Sequence, residues 1–220
     1  MKLFSFFTQE LAIDLGTANT LIIQNGEVVV DEPSIVAIDR RTRETIAVGR
    51  EAMQMHEKTH ENIKTIRPLK DGVIADFQAA ESLIEGLINM IDSRKSFFTH
   101  LRMVICIPSG ITEVEKRAVF DSADHVDSKE TYLIHEPLAA ALGIGLDVEE
   151  PEGNMIIDIG GGTTEIAVIA LSGIVADQAI RTGGDDFTSD IVNYMRREHN
   201  LLIGETTAEN IKIKIGSALE

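Results

Sequence analysis

Two short stretches of this chain carry the same order of residues able to do chemistry. Asp14-Leu15-Gly16-Thr17-Ala18-Asn19-Thr20 runs acid, aliphatic, glycine, a free position, small, polar, threonine. Asp158-Ile159-Gly160-Gly161-Gly162-Thr163-Thr164 repeats that order 144 positions later. Small residues let the backbone come close to a ligand, and successive N–H groups in a tight turn form a concavity for anions. An aspartate at the end of the preceding strand can hold Mg²⁺ through water, because Mg²⁺ gives up its hydration shell reluctantly. Two such loops facing each other across a cleft would grip a nucleoside triphosphate from both sides. Either stretch alone could be a glycine-rich β-turn whose glycines only supply positive φ. The matched pair, with its aspartates in register, favours phosphate binding. Neither G-x-x-x-x-G-K-[ST] nor G-x-G-x-x-G occurs, which excludes the P-loop and Rossmann solutions.

Positioning these loops needs strands that end at them. Leu11–Leu15 and Thr20–Ile23 read as strands around the first loop, and Asn25-Gly26 signals a hairpin into Glu27–Val30. Pro33–Ile38 and Ile46–Val48 read as short strands around a charged turn. Asp76 reads as an N-cap, followed by apolar residues at helical spacing from Phe77 to Ile91. Arg102–Ile107 reads as a buried strand, and Thr112 with Glu115 as a capping box opening a helix to about Asp124. Thr131–Ile134 is a further strand, and Pro137 suits the first turn of a helix to Gly143. The polar segment Asp147–Gly153 marks a boundary. Beyond it come strands at Met155–Ile159, Thr164–Leu171 and Ile174–Arg181, then helices from Asp186 to about His199 and Thr206 to about Ala218. Alternating strands and helices imply an α/β fold.

The chain has 220 residues, of which 44% are hydrophobic and 25% charged, an ordinary globular composition. Its 36 acidic residues outnumber 20 basic ones, for a formal charge of −16. A nucleic-acid groove needs a basic field, so no nucleic-acid partner is expected. Backbone N–H groups can still hold a small anion without changing the net charge. The single cysteine, Cys106, cannot form an internal disulfide, and a cytoplasmic location fits. The longest uncharged apolar run, Ile166–Ala176, is well short of the roughly 20 residues that a bilayer requires.

The two loops resemble those of the actin, sugar-kinase and heat-shock-chaperone ATPase superfamily. A closer resemblance, to the MreB family of bacterial actins, is carried by several stretches. These are Asp14–Thr20, Ile66–Asp76, Glu136–Gly143, Asp158–Glu165, Gly183-Gly184-Asp185, and Leu202 through Ala218. The resemblance implies an actin-like (ribonuclease H-like) ATPase fold of two related halves, the second incomplete. Residues 1–146 would form the first half, with a small insertion at about 33–64. Residues 147–220 would supply large-subdomain strands at 154–182 and the start of a small subdomain at 185–220, where the chain is expected to stop short.

The resemblance also implies roles. Gly16, Thr17, Ala18 and Asn19 belong to the first phosphate loop, and Gly160, Gly161, Gly162 and Thr163 to the second, with Gly184 nearby. Asp14 and Asp158 would hold Mg²⁺, and Glu136 would orient the attacking water with help from Asp158. Glu209 and Lys212, three apart on one helix face, would meet the adenosine end of ATP; otherwise they are a solvent-facing ion pair. Leu3, Phe4, Phe6 and Phe7 would form a short membrane anchor, weak singly and strengthened by avidity along a filament. The function implied is a slow ATPase assembling into filaments at the inner face of the cytoplasmic membrane. There it would guide the cell-wall elongation machinery and so set rod shape. A small-molecule kinase of the same superfamily is the alternative, although no further Asp motif suits an acceptor base. A peptide-binding chaperone would need a substrate domain for which the chain has no room. His135 stands before Glu136 where relatives often carry an acid, and Asp186 stands where a basic residue is commoner. The first is expected to tune Glu136, and the second to add negative charge near the nucleotide.

Overall fold

The computed structural model describes residues 8–56, 61–91, 100–126 and 128–219, with the side chain of His100 left aside. Leu3, Phe4, Phe6 and Phe7 lie outside the described residues.

A five-stranded sheet organises the first half, in the order β10-β9-β1-β2-β3. Its strands are β1 (Thr8–Leu15), β2 (Asn19–Gln24), β3 (Glu27–Pro33), β9 (His100–Ile107) and β10 (Ser128–His135). β1 runs antiparallel to β2 and parallel to β9, so the chain must cross over between β3 and β9. Alternation along β1 sends Leu11, Ile13 and Leu15 to one face. There they meet Leu83, Ile84 and Leu87 of α2 (Phe77–Met90) and Val119 and Ala123 of α3 (Glu113–His125) in one apolar core. Both helices start as the sequence indicates. The Asp76 carboxylate accepts from Ala79 N–H at 3.1 Å, and Thr112 and Glu115 form a reciprocal capping box.

Between β3 and α2 lies a smaller sheet, β5-β4-β6, from β4 (Val36–Asp39), β5 (Thr45–Val48) and β6 (Ile63–Ile66). Helix α1 (Gly49–Met55) covers it around Ile35, Ala37, Ala47 and Ala52. The hairpin β7 (Leu69–Lys70) and β8 (Val73–Ile74) then leads to α2. Helix α1, β6 and this hairpin are not expected from the sequence, because all are short and lack a sustained apolar period. The strand read as Pro33–Ile38 is broken in two, since Ser34 and Ile35 turn out of β3 to bond elsewhere.

Helix α4 (Glu136–Gly143) follows β10 directly and packs on the second sheet, β11-β12-β13. Its strands are β11 (Asn154–Ile159), β12 (Thr164–Ala170) and β13 (Gly173–Ile180), all antiparallel. Ala141 of α4 joins Val148, Ile156 and Ile169 in a small core. The polar break before β11 is tied down, with Leu171 N–H donating to Glu150 O and Ser172 N–H to Val148 O. Helices α5 (Gly184–His199) and α6 (Glu205–Ile215) complete the described chain. Helix α6 stops at Ile215, short of the expected Ala218, and Gly216 N–H closes its last turn on Lys212 O at 2.8 Å.

Candidate functional site

Both repeated stretches occupy the same position, a tight turn between antiparallel strands. β1 and β2 pair Leu15 with Thr20 around the first turn, and β11 and β12 pair Ile159 with Thr164 around the second. The first turn is held by a side chain that the sequence reading missed. Ser34, buried in the β3–β4 connection, donates its hydroxyl to Gly16 O at 2.6 Å. Its Oγ also lies 2.8 Å from the Thr20 hydroxyl, and its N–H donates to Ala18 O at 2.8 Å. Nothing in the local pattern marks Ser34, because its partners are 14 to 18 residues away.

The second turn is held by backbone. Gly160 N–H closes on Thr163 O at 2.8 Å. From the start of α5, Gly184 N–H donates to Gly160 O at 2.9 Å and Asp185 N–H to Gly161 O at 2.8 Å. Asp186 is engaged in a cap: its carboxylate accepts from Gly183 N–H at 2.8 Å at the start of α5.

The two turns touch. A Cβ on Gly161 would stand 2.7 Å from the Ala18 Cβ, and one on Gly162 would stand 2.9 Å from both Thr17 Oγ1 and Asp71 N. Only glycine permits that approach. Thr17 Oγ1 accepts from Gly72 N–H at 3.1 Å, which brings the β7–β8 turn into the same cluster.

Carboxylates converge behind the turns. Burial first, and then the charge of Asp158, raises the Asp14 carboxyl above its ordinary value. Burial, followed by the charges of Glu165, Asp14 and Asp158, pushes Glu136 up to about 8. Asp14, Asp158 and Glu136 are therefore within electrostatic reach of one another across the two sheets. The positive influence of His135 falls on Glu165 and not among the causes acting on Glu136. Cys106, in β9 beside this cluster, is pushed up to about 12 by burial and by Asp14, Glu136 and Asp158, so its thiol stays protonated and unreactive. Among the described residues, no group of three or more His, Cys, Asp or Glu side chains could hold a metal ion alone. The donor set of two aspartates nevertheless fits Mg²⁺, which keeps several waters and takes further oxygens from bound phosphate.

Glu209 and Lys212 are partly buried against the start of α5. Lys212 Nζ lies 2.6 Å from Glu209 Oε2 and donates to Gly184 O at 2.8 Å and Thr188 Oγ1 at 3.1 Å. Thr188 Oγ1 donates to Glu209 Oε2 at 2.5 Å. Burial works against ionised Glu209, but the hydrogen bonds from Lys212 and Thr188 outweigh it and hold the carboxyl below its ordinary value. This pair is thus fastened to the start of α5, one step from the second turn. On the same side, Arg67 Nη1 reaches Asp185 Oδ2 at 3.3 Å and Arg67 Nη2 reaches Glu205 Oε2 at 4.0 Å. His56 is partly buried and its Nδ1 lies 2.9 Å from Thr65 Oγ1.

A sequence model of the MreB/Mbl protein family matches residues 8–220. The chain belongs to the MreB/Mbl family. It is 49% identical over 212 residues to the cell shape-determining protein Mbl of Bacillus cereus, covering 96% of this chain and 63% of that protein. It is also 49% identical over 222 residues to the cell shape-determining protein MreB of Escherichia coli, covering 99% of this chain and 64% of that one. The chain therefore spans less than two thirds of the length of these relatives. Among solved structures, it superposes on MreB5 of Spiroplasma citri bound to AMPPNP with a TM-score of 0.89 and 39% identity. That match covers 97% of this chain and 64% of the MreB5 chain. A MamK double helical filament superposes at 0.77 with 21% identity, over 97% of this chain and 67% of that one, a likeness of fold. The architecture is the actin-like ATPase fold that the paired loops of the family imply.

Proposed function

We propose that this chain binds ATP with Mg²⁺ between its two glycine-rich turns and acts as part of an actin-like, shape-determining filament. The observation that carries the reading is the contact of the two matched turns, Gly161 on Ala18 and Gly162 on Thr17, each following an aspartate at a strand end. The MreB5 structures bound to AMPPNP and to ADP support nucleotide as the ligand class. On this reading, N–H groups of residues 16–19 and 161–163 bind phosphate oxygens, with Gly160 N–H closing the second turn on Thr163 O, and Asp14 and Asp158 would hold hydrated Mg²⁺, which would neutralise phosphate charge. Glu136, at the first turn of α4, orients water toward the terminal phosphate, and the Glu209–Lys212 pair meets the adenosine end. Phosphoryl transfer to water depends mostly on positioning and charge stabilisation, so this small set suffices for slow hydrolysis.

The same reading has the protein self-associate into filaments and lie on the cytoplasmic membrane through Leu3, Phe4, Phe6 and Phe7, with the cell-wall elongation machinery as partner. Attachment through these four side chains would be peripheral. Among the described residues, no helix is long and apolar enough to cross a membrane. The kinase alternative is not favoured, since the curated relatives are named as cell shape-determining proteins. Thermal unfolding with and without Mg-ATP tests the core of the proposal. Mass action on the folded state raises the midpoint, and Asp158→Ala abolishes the rise. An unchanged midpoint for the unsubstituted chain removes nucleotide binding from its function. Where the midpoint rises, ATP-dependent pelleting without any acceptor substrate supports the filament, and phosphate transfer to a sugar overturns it.

A further inference from the structure

Glu165 has no part in the mechanism above, yet among the described residues it is the one acidic residue that is fully buried, at 1% exposure. It shares a face of β12 with Ala167 and Ile169, exposed 1% and 0%, so an aliphatic residue would suit the position better. A buried carboxylate is unfavourable unless hydrogen bonds satisfy it. Here the satisfaction comes from the other sheet. Ser109 N–H, in the turn that follows β9, donates to both oxygens of Glu165, at 3.1 and 3.2 Å.

The two ends of this bond lie in the two frames that must cooperate. On one side, β9 is paired with β1, which carries Asp14, and with β10, which runs directly into Glu136. On the other, Glu165 is the cross-strand partner of Asp158, and the second turn lies between them. We propose that Glu165 is a positioning residue: its bond from Ser109 N–H fixes how far Glu136, where β10 of the first sheet runs into α4, stands from Asp158 and the 160–163 turn of the second sheet. The inference rests on the nucleotide-hydrolysis reading above. Among the charges acting on Glu136, that of Glu165 ranks first, as expected for neighbours at this junction. A misplacement of about 1 Å between reacting groups is enough to slow a reaction about a hundredfold, so a tie at this point governs rate more than affinity.

The experiment compares the unsubstituted 220-residue chain with Glu165→Leu and Glu165→Gln. It reads single-turnover cleavage of Mg-ATP, the nucleotide Kd, and hydrogen–deuterium exchange at Ser109. Leu removes the acceptor, so cleavage falls about tenfold or more while Kd stays within about threefold. Ser109 exchange without nucleotide rises about tenfold. Gln keeps one oxygen acceptor, and its cleavage falls between the two. Unchanged cleavage in the Leu variant overturns the proposal, and so does a loss confined to Kd. Should the Leu variant fail to fold, slower cleavage at unchanged Kd in the Gln variant supports the proposal and unaltered cleavage overturns it. An unsubstituted chain that binds nucleotide without cleaving it removes hydrolysis from the proposed function. The exchange data then decide the tie: faster Ser109 exchange in a variant supports it, and unaltered exchange overturns it.

Discussion

In the first half, the Asp14 turn grows from a five-stranded sheet sealed on one face by α2 and α3. In the second, the Asp158 turn grows from a three-stranded sheet whose one face packs on α4, while the other presents Met155, Ile157 and Ile159, exposed 63%, 58% and 60%. The supports of the two turns differ in the same sense. A buried serine hydroxyl braces the first, and the backbone of a neighbouring helix braces the second. One local turn pattern is thus built on unequal foundations. The pattern of such a turn is a short-range property of the chain, whereas its rigidity depends on what packs beneath it.

The sharpest way to break this comparison is to delete equal side-chain bulk from each half. Leu83 of α2 is wholly buried in the first core. Leu83→Ala lowers unfolding free energy by about 2–5 kcal/mol, through lost transfer energy plus a cavity. Ile157→Ala, on the exposed face of β11, changes it by less than about 0.5 kcal/mol. Urea unfolding measures both. A loss at Ile157 as large as at Leu83 would mean that the exposed face is covered in solution.

The carboxylates between the halves give the next largest effect, and it depends on pH. Glu136 is raised from an ordinary 4.5 to about 8, so the folded chain keeps a proton that the unfolded chain releases. Its stabilising share is complete below pH 4.5 and is lost as pH rises through about 8. Each pKa unit is worth about 1.4 kcal/mol, so the decline between pH 5 and pH 9 is on the order of a few kcal/mol. Glu136→Gln flattens that decline, and chemical unfolding across the pH series checks it. An equally steep decline in the variant would assign the titration to Asp14 or Glu165, which burial also raises.

What was legible beforehand follows from range. Caps and amphipathic periods act within a turn of helix, so Asp76, Thr112 and the apolar face of α2 are readable in the sequence. The repeat at Asp14 and Asp158 is readable because each copy is contiguous and the match across 144 residues can be seen by alignment of the chain with itself. Ser34 is not, since its partners are 14 or more residues away and it breaks no local pattern. Glu165 stands out as the single charge in an apolar strand, but its role does not, because its partner Ser109 is 56 residues away. The β7–β8 hairpin is hard to read for a related reason: two-residue strands carry no periodicity, and only the left-handed Asp71-Gly72 turn, at φ of 52° and 77°, marks it.

The difference in bracing leads to the smallest of the expected effects. Ser34→Ala removes a buried hydroxyl and leaves Gly16 O and the Thr20 hydroxyl without that partner. The loss is about 1–2 kcal/mol of stability, with a weaker thermal shift by Mg-ATP because the first turn loosens. The nearest side-chain equivalent at the second turn is Thr164, whose hydroxyl donates to Thr182 O at 2.8 Å in an exposed setting. There water replaces the lost partner, so Thr164→Val changes stability by less than about 0.5 kcal/mol. Thermal unfolding of the two variants, each with and without Mg-ATP, compares the braces directly. A Thr164→Val loss equal to that of Ser34→Ala would show that the second turn also relies on a side chain. The asymmetry between the halves would then lie in their sheets and not in their turns.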